Sequence, residues 1–162
     1  MRQSMELRFA PKLFVGGGAG FTLPEFPKNA GKASEKVFST TLWYQTLSYP
    51  GAKEYFDNFV KKYGKDTEYH GAEAYASAFV IADALKRASA MTPEAIRASL
   101  AATDLMTVFG PVKFIAYDKK TNQNRLPTYL VQWIDGNLEL VWPKNVASKP
   151  YVYPVDWASE WK

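Results

Sequence analysis

The sequence contains no cysteine and only one histidine in 162 residues. Without Cys there can be no disulfide, no thiolate nucleophile and no Cys-based zinc site. A lone imidazole, His70, excludes a multi-His metal site within one chain. No apolar run approaches the roughly 20 residues that a membrane-spanning helix needs. The start, Met1-Arg2-Gln3-Ser4-Met5-Glu6-Leu7, does not read as a signal peptide, because no apolar stretch follows the arginine. Charge of one sign is also missing. Twenty Lys and Arg stand against sixteen Asp and Glu, a net of +4. No basic run is longer than a pair such as Lys61-Lys62 or Lys119-Lys120. A nucleic-acid footprint would be a basic cluster or stripe, so no nucleic-acid partner is expected. Catalytic signatures are lacking as well. There is no Gly-x-Ser-x-Gly elbow and no Gly-Lys-Ser/Thr phosphate loop. The chain does not read as an enzyme, and no cofactor is expected.

What is present is an ordinary globular composition, 47% hydrophobic and 22% charged, with 15% aromatic residues including five Trp. Such side chains build cores, and they also line ligand clefts.

The N-terminal residues have the pattern of the last turns of an amphipathic helix, stopped by Ala10-Pro11. Lys12 to Val15 reads as a short buried strand, followed at once by Gly16-Gly17-Gly18-Ala19-Gly20. A helix start follows, with Thr22 as N-cap and Pro24 in its first turn. Val37 to Trp43 is a second strand, rich in β-branched and aromatic residues. Strand, glycine turn, short helix and strand form a βαβ unit, hence a parallel pair. Three helices come next: Ala52 to Tyr63, His70 to Ala90, and one from Thr92-Pro93-Glu94 to about Ala102. The second is apolar around most of its circumference, which predicts burial on several sides. Val112–Tyr117, Thr128–Ile134 and Leu138–Trp142 alternate as strands, with Asp135-Gly136-Asn137 as a hairpin turn and 118–127 as a polar loop. Two parallel strands, a hairpin and three uncovered helices are awkward for one domain. The physical expectation is that packing partners lie outside this chain, in upstream residues or a second copy, and that the chain self-associates.

Three features could carry function. The Gly16–Gly20 loop could hold a phosphate, serve as a tight strand-to-helix turn, or let a small ligand approach the backbone at a strand's carboxyl end. Trp43 and Tyr44 fall where the second parallel strand ends, and could line a pocket mouth or pack in the core. Tyr69 and His70 open the long helix, where His70 could be a ligand hydrogen-bond donor or a structural residue.

A longer pattern then emerges. Ala52-Lys53-Glu54-Tyr55-Phe56 leads through Lys61-Lys62-Tyr63-Gly64-Lys65 to Tyr69-His70. Ala74-Tyr75-Ala76 and Ala82-Asp83-Ala84-Leu85-Lys86-Arg87-Ala88 follow. Next come Thr107-Val108-Phe109-Gly110-Pro111-Val112-Lys113-Phe114, Tyr129-Leu130-Val131-Gln132-Trp133, Asp135-Gly136 and Val141-Trp142-Pro143. This ordered set resembles the C-terminal half of the extracytoplasmic solute-binding proteins of branched-chain amino-acid ABC transporters, the Leu/Ile/Val-binding type.

The resemblance implies an α/β fold of the periplasmic-binding-protein type I, two Rossmann-like lobes holding ligand in a cleft, here as a partial C-terminal fragment. Residues 1–39 would be the end of the second lobe. Residues 40–111 would be a crossover and helices of the first lobe. Residues 112–162 would be hinge-returning strands and a tail. The mid-helix start at Met1 fits a chain lacking its upstream half, signal peptide included.

The implied function is the ligand-binding component of a transporter for branched-chain amino acids or a related small amphipathic solute. Its partner would be an ABC permease and its location periplasmic or extracytoplasmic. Ligand contacts would come from Gly17, Gly18 and Ala19 and from Tyr69 and His70. Trp43 and Tyr44 join them by strand-end position alone. Amino-acid binders of the family place a carboxylate for the ligand's α-ammonium in the glycine loop, and this loop has none. A receptor of the same fold for amides or aromatic acids is therefore the alternative, with a small phosphate- or nucleotide-binding enzyme further behind.

Overall fold

The computed structural model describes residues 1–161 and divides into two compact units, Met1–Tyr44 with Thr128–Lys162, and Gln45–Pro127.

The first unit is built on a four-stranded mixed sheet. Its strands are β1 (Val15–Gly16), β2 (Phe38–Thr41), β6 (Tyr129–Ile134) and β7 (Asn137–Trp142), in the order β1-β2-β6-β7. The parallel pair predicted from the βαβ pattern is β1 with β2, in register Val15↔Phe38 and Gly16↔Ser39. Strand β6 runs antiparallel to both of its neighbours. Its side chains were expected to alternate between core and solvent, but Val131 through Ile134 are all buried. The reason is that both faces of the sheet are covered. Val37, Trp133, Val155 and Trp157 cluster with Phe14, Phe21 and Phe26. Phe38, Ile134 and Val141 cluster separately with Leu13 and Leu130. Val37 and Phe38, and again Trp133 and Ile134, are sequence neighbours sent to opposite faces by the pleat.

The predicted hairpin turn lies between β6 and β7. Asp135 and Gly136 both have positive φ, 54° and 75°, as the tight turn that matches strand twist requires. Glu35 holds it from a distance, accepting the N–H of Asp135 at 3.0 Å and of Gly136 at 2.6 Å.

The short helices of this unit are α1 (Arg2–Glu6), α2 (Glu25–Ala30) and α6 (Trp157–Glu160). Thr22 does not cap α2 as expected. The helix begins three residues later, after Pro24, with no side-chain cap. Pro24 already has helical φ and ψ, so the N-cap position moves onto it.

The second unit contains α3 (Ala52–Tyr63), α4 (Tyr69–Arg87), α5 (Pro93–Ala101) and a three-stranded antiparallel sheet. Helix α5 starts as its sequence predicts, with Thr92 accepting the N–H of Ala95 at 3.3 Å and Pro93 in the first turn. The sheet joins β3 (Asp104–Thr107), β4 (Gly110–Tyr117) and β5 (Lys120–Asn124). Strands β3 and β5 correct the sequence reading, which had no strand between the third helix and Val112 and a loop after Tyr117. β5 is Lys-Thr-Asn-Gln-Asn, almost wholly solvent-exposed, and its polar residues give no apolar alternation to read.

Helix α4 departs further from expectation. Burial on several sides was predicted. Instead a single stripe, Ala72, Ala76, Val80 and Ala84, is buried. Tyr75, Phe79, Ile81 and Leu85 are 37–54% exposed. The stripe recurs every four residues with mostly alanine, so close backbone approach replaces large side chains there. Ser99 donates to the Ala84 carbonyl at 2.7 Å, joining α4 to α5. Arg87 pairs with Asp83 and donates to the Ser99 carbonyl at 3.0 Å. Among the described residues no helix is long and apolar enough to cross a membrane.

Candidate functional site

The glycine loop leaves β1 at the carboxyl end of a parallel strand, the edge where open α/β sheets place ligands. It is not a slack connection. Gly18 donates its N–H to Ser39 Oγ at 3.2 Å, and the Ser39 hydroxyl reaches the Gly16 carbonyl at 3.2 Å. Ser39 is fully buried in β2 beside Gly16. One hydroxyl on the neighbouring strand thus pins both ends of the loop's first turn.

The glycines differ in what they allow. A β-carbon on Gly16 would overlap the Phe21 ring, which lies against its backbone. A β-carbon on Gly17 would meet nothing within 4 Å. Gly16 is therefore required for packing, whereas Gly17 faces open space. Gly16 and Gly18 are buried, while Gly17 and Ala19 are exposed. The loop offers exposed backbone and no side-chain charge.

Trp43 and Tyr44 are in the same unit and buried, at 2% and 8% exposure. Tyr44 donates its hydroxyl to the Leu138 carbonyl at 2.7 Å. The Trp43 backbone closes a small turn on Thr41, whose hydroxyl donates to the Trp43 carbonyl at 2.7 Å. Both aromatics thus have structural work at the end of β2.

Tyr69 and His70 belong to the second unit, at the start of α4. Their rings stack at 3.9 Å between centroids, 28° apart. Glu68 caps the helix and accepts the His70 N–H at 3.1 Å. The same oxygen lies 2.7 Å from His70 Nδ1. Behind them, Tyr55 Oη lies 3.3 Å from Thr67 Oγ1. Burial raises the Tyr55 pKa above its ordinary value; the hydrogen bond to Thr67 opposes this, and the charge of Glu68 adds to it.

The sequence-predicted residues therefore fall into two groups. Gly17, Gly18, Ala19, Trp43 and Tyr44 are in the first unit, and Tyr69 and His70 are in the second. Ser39, Phe21 and Glu68 were missed. Ser39 and Phe21 lie 21 and five residues from their glycine partners, beyond any local pattern. Glu68 had a signal, an acidic residue immediately before a long helix. Among the described residues no group of three or more His, Asp or Glu is placed to hold a metal ion.

A family model described as periplasmic binding protein matches residues 3–137. The chain belongs to that family.

Among curated periplasmic binding proteins, it is 27% identical over 153 residues to Leu/Ile/Val-binding protein homolog 7 of Brucella melitensis. That match covers 91% of this chain and 38% of the relative, so the chain spans well under half the relative's length. Among solved structures, the leucine-binding protein LivK of Thermotoga maritima superposes with a TM-score of 0.74 at 23% identity, over 86% of this chain and 39% of that one. The branched-chain amino acid transporter substrate-binding protein LivJ of Streptococcus pneumoniae, solved with isoleucine, gives 0.70 at 24% identity, over 94% of this chain and 40% of that one. The fold is accordingly the α/β periplasmic-binding-protein type I architecture implied by the resemblance, matched over about two-fifths of those chains.

Proposed function

We propose that this chain serves in the solute-binding component of an ABC importer, with branched-chain amino acids or related small amphipathic solutes as ligands. The observation that carries the reading is the pinned glycine loop. It presents the exposed backbone of Gly17 and Ala19 at the carboxyl end of a parallel strand, with no β-carbon in the way at Gly17. That suits a small ligand held by backbone groups. Tyr69 and His70 are the second unit's candidate contacts. Trp43 and Tyr44 shape the end of β2 rather than touching solute. The chain performs no catalysis in this reading. It works outside the cytoplasm, and its partner is a membrane permease. Residues 1–39 belong to one lobe, 40–111 to a crossover and the helices of the other, and 112–162 to returning strands and tail.

Calorimetry with leucine, isoleucine and valine tests this. Binding that is abolished by Gly17→Trp, with the melting temperature unchanged, is the expected result. Failure to bind any of the three, or any small carboxylic acid or amide, overturns it. A second reading, a receptor of the same fold for amides or aromatic acids, is favoured by one observation. The loop residues Gly17, Gly18 and Ala19 bring no carboxylate to an ammonium group. Tighter binding of benzoate or a small amide than of leucine would select it.

A further inference from the structure

Helix α4 carries two stripes of small residues at four-residue spacing. Ala72, Ala76 and Ala84, with Val80 between them, are buried. Ala74, Ala78 and Ala82 are exposed. Residues four apart lie above one another on one helix face. Larger apolar residues flank the exposed stripe. Tyr75 and Phe79 stand on one side, with ring centroids 5.0 Å apart, and Ile81 and Leu85 stand on the other. All four are exposed. The aromatic side continues onto α3, where the Tyr55 ring lies 4.8 Å from that of Tyr75. Glu73 and Asp83 fall on other sides of α4, and Lys86 and Arg87 come at its C-terminal end. The face between is apolar and uncharged, with alanine along its middle.

We propose that this face docks on the same face of a second copy of the chain, antiparallel, about a two-fold axis beside Ala78. The pattern itself selects a second copy. Reversal about Ala78 sets that residue against its own copy and Ala74 against Ala82, so the two alanine stripes meet and the backbones approach closely. The same operation places Tyr75 beside the copy's Phe79. It also brings the exposed Lys86 to the copy's Glu68, at both ends of the contact. Opposite charges therefore meet twice, and the antiparallel helix dipoles favour the same arrangement. The exposed apolar residues of the face present on the order of 500 Å² per copy, as large as the biggest patch on an ordinary monomer. A pair buries on the order of 1,000 Å², the threshold for a specific interface. That suits a dimer that dissociates in the micromolar range rather than a permanent one.

Sedimentation velocity of the full chain over roughly 1–100 μM should show a dimer that forms with concentration. Ala78→Glu places two carboxylates at the axis. Its site is exposed and glutamate is a good helix former, so the circular dichroism spectrum should not change. The dissociation constant should rise about tenfold or more. A second measurement reads the axis directly. The chain has no cysteine, so Ala78→Cys carries a single thiol. On oxidation it should link to its own copy, as only a residue at a two-fold axis does. Lys119→Cys, on the exposed turn between β4 and β5, is the control and should link far more slowly. An Ala78→Glu dimer as tight as wild type, or Ala78→Cys that links no faster than Lys119→Cys, overturns the proposal. So does a wild-type chain that stays monomeric at the top of the range, which would leave the face to a different polypeptide.

Discussion

The two units bury different materials. In the first, the fully buried residues include Trp43, Trp157, Leu140, Val37 and Val131, and the sheet is covered on both faces. In the second, buried positions are mostly small or hydroxylic: Ala52, Ala72, Ala76, Ala84, Ser99, Thr103 and Thr107. Leu47, Val80, Phe109 and Val112 are buried with them, but other large apolar side chains are outside, with Phe79 and Ile81 on α4 and Met91 and Met106 beyond it. The first unit gains stability from area removed from water. The second relies on close helix approach and on hydroxyl and guanidinium bonds such as those of Ser99 and Arg87. Tyr75 and Phe79, one turn apart on α4 with ring centroids 5.0 Å apart, form an exposed aromatic patch that self-association would cover.

Five substitutions would break or sharpen this contrast. Trp157→Ala should have the largest effect. The residue is 1% exposed, and its indole N–H donates to the Pro11 carbonyl. The loss should be about 3–5 kcal/mol in chemical denaturation, from cavity formation together with the unpaired carbonyl. Gly16→Ala should follow at about 1–3 kcal/mol, because the new methyl must displace the Phe21 ring. Gly17→Ala is its control and should leave stability within about 0.5 kcal/mol, since the methyl enters open space. Equal losses at the two glycines would contradict the loop geometry.

In the second unit, Tyr55→Phe should cost about 1 kcal/mol for the lost bond to Thr67. It should also change the alkaline limb. A phenol whose folded pKa is raised loses stability as pH rises above the ordinary value of 10.0, because only the unfolded chain releases its proton there. Below that pH the ionisation contributes nothing, so wild type and Tyr55→Phe curves should diverge in shape only on the alkaline side. Phe79→Ser should have the smallest effect, within about 0.5 kcal/mol, because the ring is half exposed. Its readout is light scattering at high concentration, where it should lower any self-association. An unchanged oligomer distribution would show that the α4 face is not what associates.

Much of this was legible in the residues. The parallel pair, all three long helices, the Thr92 cap and the Asp135-Gly136 turn were signalled by periodicity and turn chemistry over a few residues. β5 was hidden because neither of its faces is apolar. The exposed side of α4 was misread because an apolar helix surface looks the same in sequence whether or not something covers it. For the site, the glycine loop and the Tyr69-His70 pair were visible as unusual local runs. The groups that organise them were not all so. Ser39 acts on Gly18 across 21 residues, and only strand pairing brings them together. Tyr44 likewise depends on the distant β6–β7 hairpin, where its hydroxyl donates to the Leu138 carbonyl.

Gln132 in β6 has a consequence of its own. It is fully buried, and its amide nitrogen donates to the carbonyls of Lys36 at 2.9 Å and Val152 at 3.0 Å. Its amide oxygen accepts the Val152 N–H at 2.8 Å. The primary amide imitates a peptide unit, so the C-terminal segment is stitched to the sheet without being a strand. Val152 is 36% exposed and lies in irregular chain. Solvent exposure alone would make its amide exchange quickly with deuterium, but its exchange should be timed by opening of the sheet.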